Sequence, residues 1–204
     1  MSRSLYRRGW MPGGFGSLSM RTPNDSDWFS ITASGRDRGA LTYPDVIPVW
    51  TSDGTAVGPD DRMSYEASIH AAIYRTTAAE AIIHAHTIYT MAIACDDNDN
   101  RIQQLDLGLE KYELSKALDL PSDASAYLPV FPNWADIPRI ARDVEDHLAH
   151  DGNSSLPAFL IAYNGVTAWG RDLNEARRRL ECIEAICHLS WANRASAATT
   201  SDGA

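Results

Sequence analysis

The 204 residues, 44% of them hydrophobic, suffice to bury one substantial core and make a single domain the default. Eighteen Lys and Arg against 27 Asp and Glu leave a formal net charge of −9, a field that repels phosphate backbones and argues against a nucleic-acid partner. No run approaches the ~18 apolar residues of a bilayer span, and Met1–Trp10 is Arg-rich without the apolar stretch of a signal peptide, so a cytoplasmic protein without membrane contact is expected.

From the N-terminus, a glycine-rich turn at Gly13–Gly16 is followed by two apolar runs read as strands, Trp28–Ala33 and Val46–Trp50. A loop with Ser34, Gly35 and Gly39 separates them, and loops of this kind often carry function. Ser64 reads as the cap of a helix through Tyr74, which sets Glu66 and His70 four residues apart on one face. Glu80–His86 reads as a strand. Asp136 with Pro138 announces a helix whose apolar stripe is Ile137, Ile140, Val144 and Leu148. Ala158–Tyr163 is an apolar run ending at Asn164-Gly165, and Asp172 with Glu175 forms a capping-box signature for a last helix with buried stripe Leu173, Ala176, Leu180, Ile183 and Cys187. The small polar residues from Ala195 to Ala204 read as a disordered tail, leaving residues 1–194 as the domain. Strands and helices interleave, without a GxGxxG or P-loop after any strand. The cysteines, Cys95, Cys182 and Cys187, form no CxxC pair and read as reduced packing residues.

The tripeptide His84-Ala85-His86 carries the chemistry. On a strand, residues i and i+2 project from one face, so two imidazoles can converge on a cation. An isolated HxH is more often an ordinary pair, because a metal needs three or four ligands. His70 is read as a satisfied structural histidine rather than a ligand.

Context comes from six blocks in order: "LYRRGWMPGGFGSLSMR", "ITASGRDRGALTYPDV", "MSYEASIHAAIYRTTAAEAIIHAHT", "YELSKAL", "FPNWADIPRIARDVEDHL" and "LIAYNGVTAWGRDLNEARRRLECIEAI". Together they resemble the class II aldolase and adducin superfamily and, within it, the methylthioribulose-1-phosphate dehydratases. The resemblance implies an α/β single-domain fold with a central, largely antiparallel sheet flanked by helices. It also implies a divalent metal, usually zinc, held by His84, His86 and a third histidine of a His-Gly pair. Asn164-Gly165 stands at that third position, and an amide oxygen is a poorer zinc ligand than imidazole.

By the same resemblance Glu66 and Glu113 are the acid–base carboxylates. Gly16, Ser17, Ser34, Gly35 and Ser64 form an anion nest for the substrate phosphate; Arg36 and Arg38 read either as its cationic partners or as ordinary solvated loop arginines. Ser17 replaces the usual asparagine, Met63 a proline, and Tyr65 a small residue. The implied activity is a metal-dependent carbon–oxygen lyase that removes water from a ketose phosphate through an enediolate in methionine salvage, working as a homotetramer with sites at subunit borders. Two rival readings are a class II aldolase or epimerase acting on another substrate, and a metal-free adducin-like binding protein. Family members carry more helix before the stretch matching Leu5–Trp10, so a shortened first helix or a displaced start is expected.

Overall fold

The computed structural model describes residues 1–23, 25–59, 62–95, 100–108, 111–118, 127–151 and 156–201. Among them, one sheet is built from β1 (Ser17–Thr22), β2 (Asp25–Thr32), β3 (Val46–Trp50), β4 (Ala81–Ala85), β5 (Gln103–Asp106), β6 (Tyr127–Phe131), β7 (Ala158–Ile161) and β8 (Gly165–Gly170). The helices are α1 (Ser2–Arg7), α2 (Ala67–Thr76), α3 (Ile88–Ile93), α4 (Ile137–Asp151) and α5 (Leu173–Ser201). Strand order is β3-β2-β1-β4-β8-β7-β6-β5, and the β6–β7 pair is parallel while the other pairings are antiparallel. This is the largely antiparallel, helix-flanked sheet that the sequence resemblance implies.

The two-residue strand period divides the apolar side chains between two cores. On β4, Ile83 and Ala85 join Leu160 of β7, Ala168 of β8 and the stripe Ala176, Leu180, Ile183 and Cys187 of α5. Ile82 faces the other way, with Phe159, Trp169, α2 and the Ile140, Val144 and Leu148 stripe of α4. His84 follows Ile82 by two residues and therefore lies on the α2 side of the sheet, at the end of a strand buried along its whole length.

Several local expectations change on contact with tertiary structure. Ser64 does not cap α2 with its side chain; Glu66 occupies the N-cap position, and the Ser64 hydroxyl donates instead to the Glu66 carboxylate. Asp172 caps α5 by accepting the backbone N–H groups of Asn174 and Glu175, whereas Glu175 reaches back to the N–H of Arg171 rather than to the cap residue. Cys182 and Cys187 are buried as packing residues, but Cys95 is exposed, because it lies just past the end of the six-residue α3. Helix α5 continues past Ala195 to Ser201, into the segment whose small polar composition reads as a tail, and its alanines favour that continuation. Residues 202–204 lie outside the described residues.

Candidate active site

Two glycines bring the backbone of neighbouring strands onto the end of β4. At Gly16, just before β1, a Cβ would sit 2.9 Å from the His84 carbonyl oxygen, and φ is +88°. At Gly165, the first residue of β8, a Cβ would sit 2.2 Å from the Ala85 carbonyl oxygen. Only a residue without a side chain permits these approaches. The pairing that results puts Ser17 opposite His84 on one side and Thr167 opposite it on the other.

His84 is buried, with Nδ1 2.9 Å from Thr167 Oγ1 and Nε2 3.0 Å from Asn164 Oδ1. The Asn164 oxygen can only accept, so His84 carries its proton on Nε2 and accepts from the Thr167 hydroxyl at Nδ1. A hydroxyl also accepts, so Thr167 serves the opposite tautomer equally well, leaving the Nε2 lone pair bare. His86 stands perpendicular to His84 with ring centroids 5.0 Å apart, and Phe15 meets its edge at 5.8 Å. One ligand atom each from Glu66, His84 and His86 lies within 4.8 Å of the others. The Nε2 of His86 is buried without a hydrogen-bond partner. An orphaned imidazole nitrogen among a second imidazole and a carboxylate fits a divalent cation.

Electrostatics keep these groups in the forms that chemistry needs. Burial pushes His86 down to about 4, helped by neighbouring His84, and burial also lowers His84, so both rings are neutral near pH 7 and can offer lone pairs. For Glu66, burial acts upward, but His84 and the Ser64 hydroxyl donated at 2.5 Å outweigh it and hold the carboxyl below its ordinary value. It is an anion at neutral pH.

Behind the site, His70 is fully buried, with Nε2 3.1 Å from Ser17 Oγ and Nδ1 2.7 Å from Ser19 Oγ; Ser19 in turn bonds the Tyr74 hydroxyl at 2.8 Å. It is the satisfied structural histidine read from the sequence. Burial lowers its pKa to about 3. An unfolded histidine binds its proton near 6.5, so between roughly pH 6.5 and 3 the unfolded chain holds more protons and stability rises with pH. The stabilisation is fully present above 6.5 and is lost as pH falls. Each such histidine contributes a slope approaching about 1.4 kcal/mol per pH unit, and His86 adds to it down to about 4. Urea unfolding of the metal-free protein is therefore expected to show a flat stability from pH 6.5 to about 8, below the ordinary cysteine range, and a steep decline from 6 to 4. His70→Gln should visibly flatten that decline, and an unchanged slope would place the linkage elsewhere.

The residues assigned to the substrate phosphate are partly redirected. Gly16, Ser34, Gly35 and Ser64 line a cavity of about 180 Å³, with Glu66 and Arg38 on its wall. Ser17 is not among its lining; its hydroxyl is turned into the protein onto His70. The amide of Ser34 is taken by the Arg62 carbonyl. Arg36 is half-exposed and pairs with Asp45, whereas Arg38 is buried, donates to the Ala33 carbonyl and has a buried Nε without a partner. Glu113 is not brought into the Glu66–His84–His86 cluster: it is exposed in the 3₁₀ turn Glu113–Leu118 and paired with Lys116. Thr167, Phe15 and Tyr163 are site neighbours that the sequence reading did not single out. Thr167 alone had a signal, standing three residues after Asn164 on the strand that returns past His84.

Residues 1–191 match the family described as Class II Aldolase and Adducin N-terminal domain. The chain belongs to the class II aldolase and adducin family. It is 35% identical over 188 residues to a methylthioribulose-1-phosphate dehydratase of Persephonella marina, covering 89% of this chain and 81% of that protein. It is also 43% identical over 190 residues to a protein of Nocardia farcinica named as a bifunctional methylthioribose-1-phosphate isomerase/methylthioribulose-1-phosphate dehydratase, of which the chain spans 33%. Among solved structures, L-fuculose-1-phosphate aldolase from Thermus thermophilus superposes with a TM-score of 0.68 at 26% identity, covering 95% of this chain and 90% of that one. The YgbL protein of Klebsiella pneumoniae gives 0.75 at 25% identity, covering 94% and 84%. Class II aldolases depend on a divalent metal, and the Glu66–His84–His86 cluster is the candidate site for it here. Among the described residues, no helix is long and apolar enough to cross a membrane.

Proposed function

We propose that this chain is a methylthioribulose-1-phosphate dehydratase, a lyase that removes water from a ketose phosphate in methionine salvage. The observation that carries the reading is the meeting of Glu66, His84 and His86 beside a glycine-lined cavity, in a chain alike over most of its length to proteins of that name. His84, His86 and the Asn164 amide oxygen would hold the cation, which supplies a Lewis acid for the negative charge that develops on the substrate oxygens. Ionised Glu66 takes the C3 proton, with its carboxylate oriented by Ser64. The carbon–oxygen bond at C4 then breaks, the departing hydroxide gains a proton, and loss of the elements of water leaves an enol whose hydroxyl proton is exchanged for one at C4 to give the 2,3-diketone phosphate. Glu113 is proposed to assist that departure from outside the cluster, across a subunit border of the homotetramer. Arg38 and the backbone at Gly16 and Gly35, which line the cavity, would face the phosphate, and Phe15 packs against His86.

The inward turn of Ser17 and the amide at position 164 favour a second reading, in which the same proton abstraction serves aldol cleavage or epimerisation of another ketose phosphate. Purified protein loaded with zinc, manganese or cobalt, and assayed on methylthioribulose 1-phosphate beside other ketose phosphates, tests both. Diketone formation from methylthioribulose 1-phosphate is the expected result. Turnover of a different substrate alone would establish the second reading, and protein that retains no metal would support the adducin-like one.

A further inference from the structure

Tyr163 is the only residue other than glycine with positive φ among the described residues, at +58°. A Cβ makes this left-handed region costly, and tyrosine lacks the short polar side chain with which asparagine or aspartate compensates. Such a conformation persists only where surrounding structure imposes it. Burial does not impose it, because the side chain is 58% exposed. Its hydroxyl donates to the Cys95 carbonyl at 3.0 Å, just past the end of α3 and 68 residues away in sequence. The next residue is Asn164, whose N–H closes the turn onto the Ile161 carbonyl and whose Oδ1 meets His84. Gly165 follows, fixed against Ala85.

We infer that Tyr163 is a positioning residue: anchored on Cys95, it keeps the β7–β8 turn in the left-handed shape that presents Asn164 to His84. The inference adds a residue to the site of the proposed dehydratase, and its metal arm rests on that reading. Without the anchor, the strained backbone at 163 relaxes and carries Asn164 off His84. Glycine at 163 needs no anchor, because it occupies the left-handed region freely.

The ring nitrogens of His84 report this directly. In ¹⁵N-labelled, metal-free protein, the parent should show a protonated Nε2 and an unprotonated Nδ1. Tyr163→Phe keeps the ring but loses the anchor, and should move His84 towards averaged tautomers and weaken Co²⁺ binding at least about tenfold. Tyr163→Gly should recover the parent nitrogen pattern and bind Co²⁺ within about threefold of the parent. A parent-like Phe variant, or a Gly variant that fails to recover the pattern, would overturn the inference. Should the parent itself bind no Co²⁺, the dehydratase reading fails, while the nitrogen pattern still decides the role of Tyr163.

Discussion

Asn164→His is expected to raise zinc affinity at least about tenfold, equivalent to about 1.4 kcal/mol. A catalytic zinc site takes three protein ligands and keeps a position open, and in this chain the described imidazoles beside Glu66 are two, His84 and His86. Asn164 already sits 3.0 Å from His84 Nε2, so a ring placed there starts beside the cation position. Neutral imidazole is also a better zinc ligand than an amide oxygen, which suits harder ions. Competition with a chromogenic chelator measures the change, and the natural protein should hold zinc more weakly relative to manganese than the variant does. If the proposed dehydratase is working with a weakened centre, the variant should also gain activity on methylthioribulose 1-phosphate. Tight, stoichiometric zinc in the natural protein, with no gain from the histidine, would mean that another residue completes the site.

Glu66→Gln is expected to lower kcat by about 10²–10⁴-fold, the range for a positioned acid–base group. Glutamine preserves shape and still accepts the Ser64 hydroxyl bond, but cannot take a proton near neutral pH. The loss should therefore fall on kcat more than on KM. Glu113→Gln gives the companion measurement. If Glu113 assists departure of the hydroxyl from a neighbouring subunit, its variant should lose at least about a hundredfold while metal content and unfolding midpoint stay unchanged. A Glu113 variant close to the parent would leave the whole proton inventory to Glu66 and water, as the exposed pair with Lys116 would then suggest.

The sequence was most legible where side-chain period and burial coincide. The apolar stripes of α4 and α5 follow from one element considered alone, and their residues are buried apart from Ile137 and Leu173, which are partly so; the His-x-His spacing, readable in the same way, brings His84 and His86 within reach of Glu66. The bounds of β3 were readable for the same reason, its alternation of buried and exposed residues being complete. Legibility fails where partners come from distant segments. β1 alternates polar and apolar residues as a strand should, but the alternation does not tell that its polar face is buried, where Ser17 and Ser19 bond His70. The polar set His70, Ser17, Ser19 and Tyr74 is buried because its members satisfy one another across more than fifty residues of sequence. Thr167 belongs to the site through strand register alone. Ser64 illustrates the converse, for a local capping rule gave way to a carboxylate two residues on.

Backbone rests on backbone at Gly16 against His84 and at Gly165 against Ala85, so the spacing of the three chain segments at the site is a gauge set by peptide geometry and not by side-chain packing. Cores elsewhere can drift by a methylene and repack; this end of the sheet has no such slack. A substitution at 164 is thus made against a frame of constant dimensions: it changes the group that meets His84 Nε2, while one at 17 or 167 changes the group that holds His70 or His84 Nδ1. On such a frame one group can be exchanged for another without first having to refold the scaffold around it.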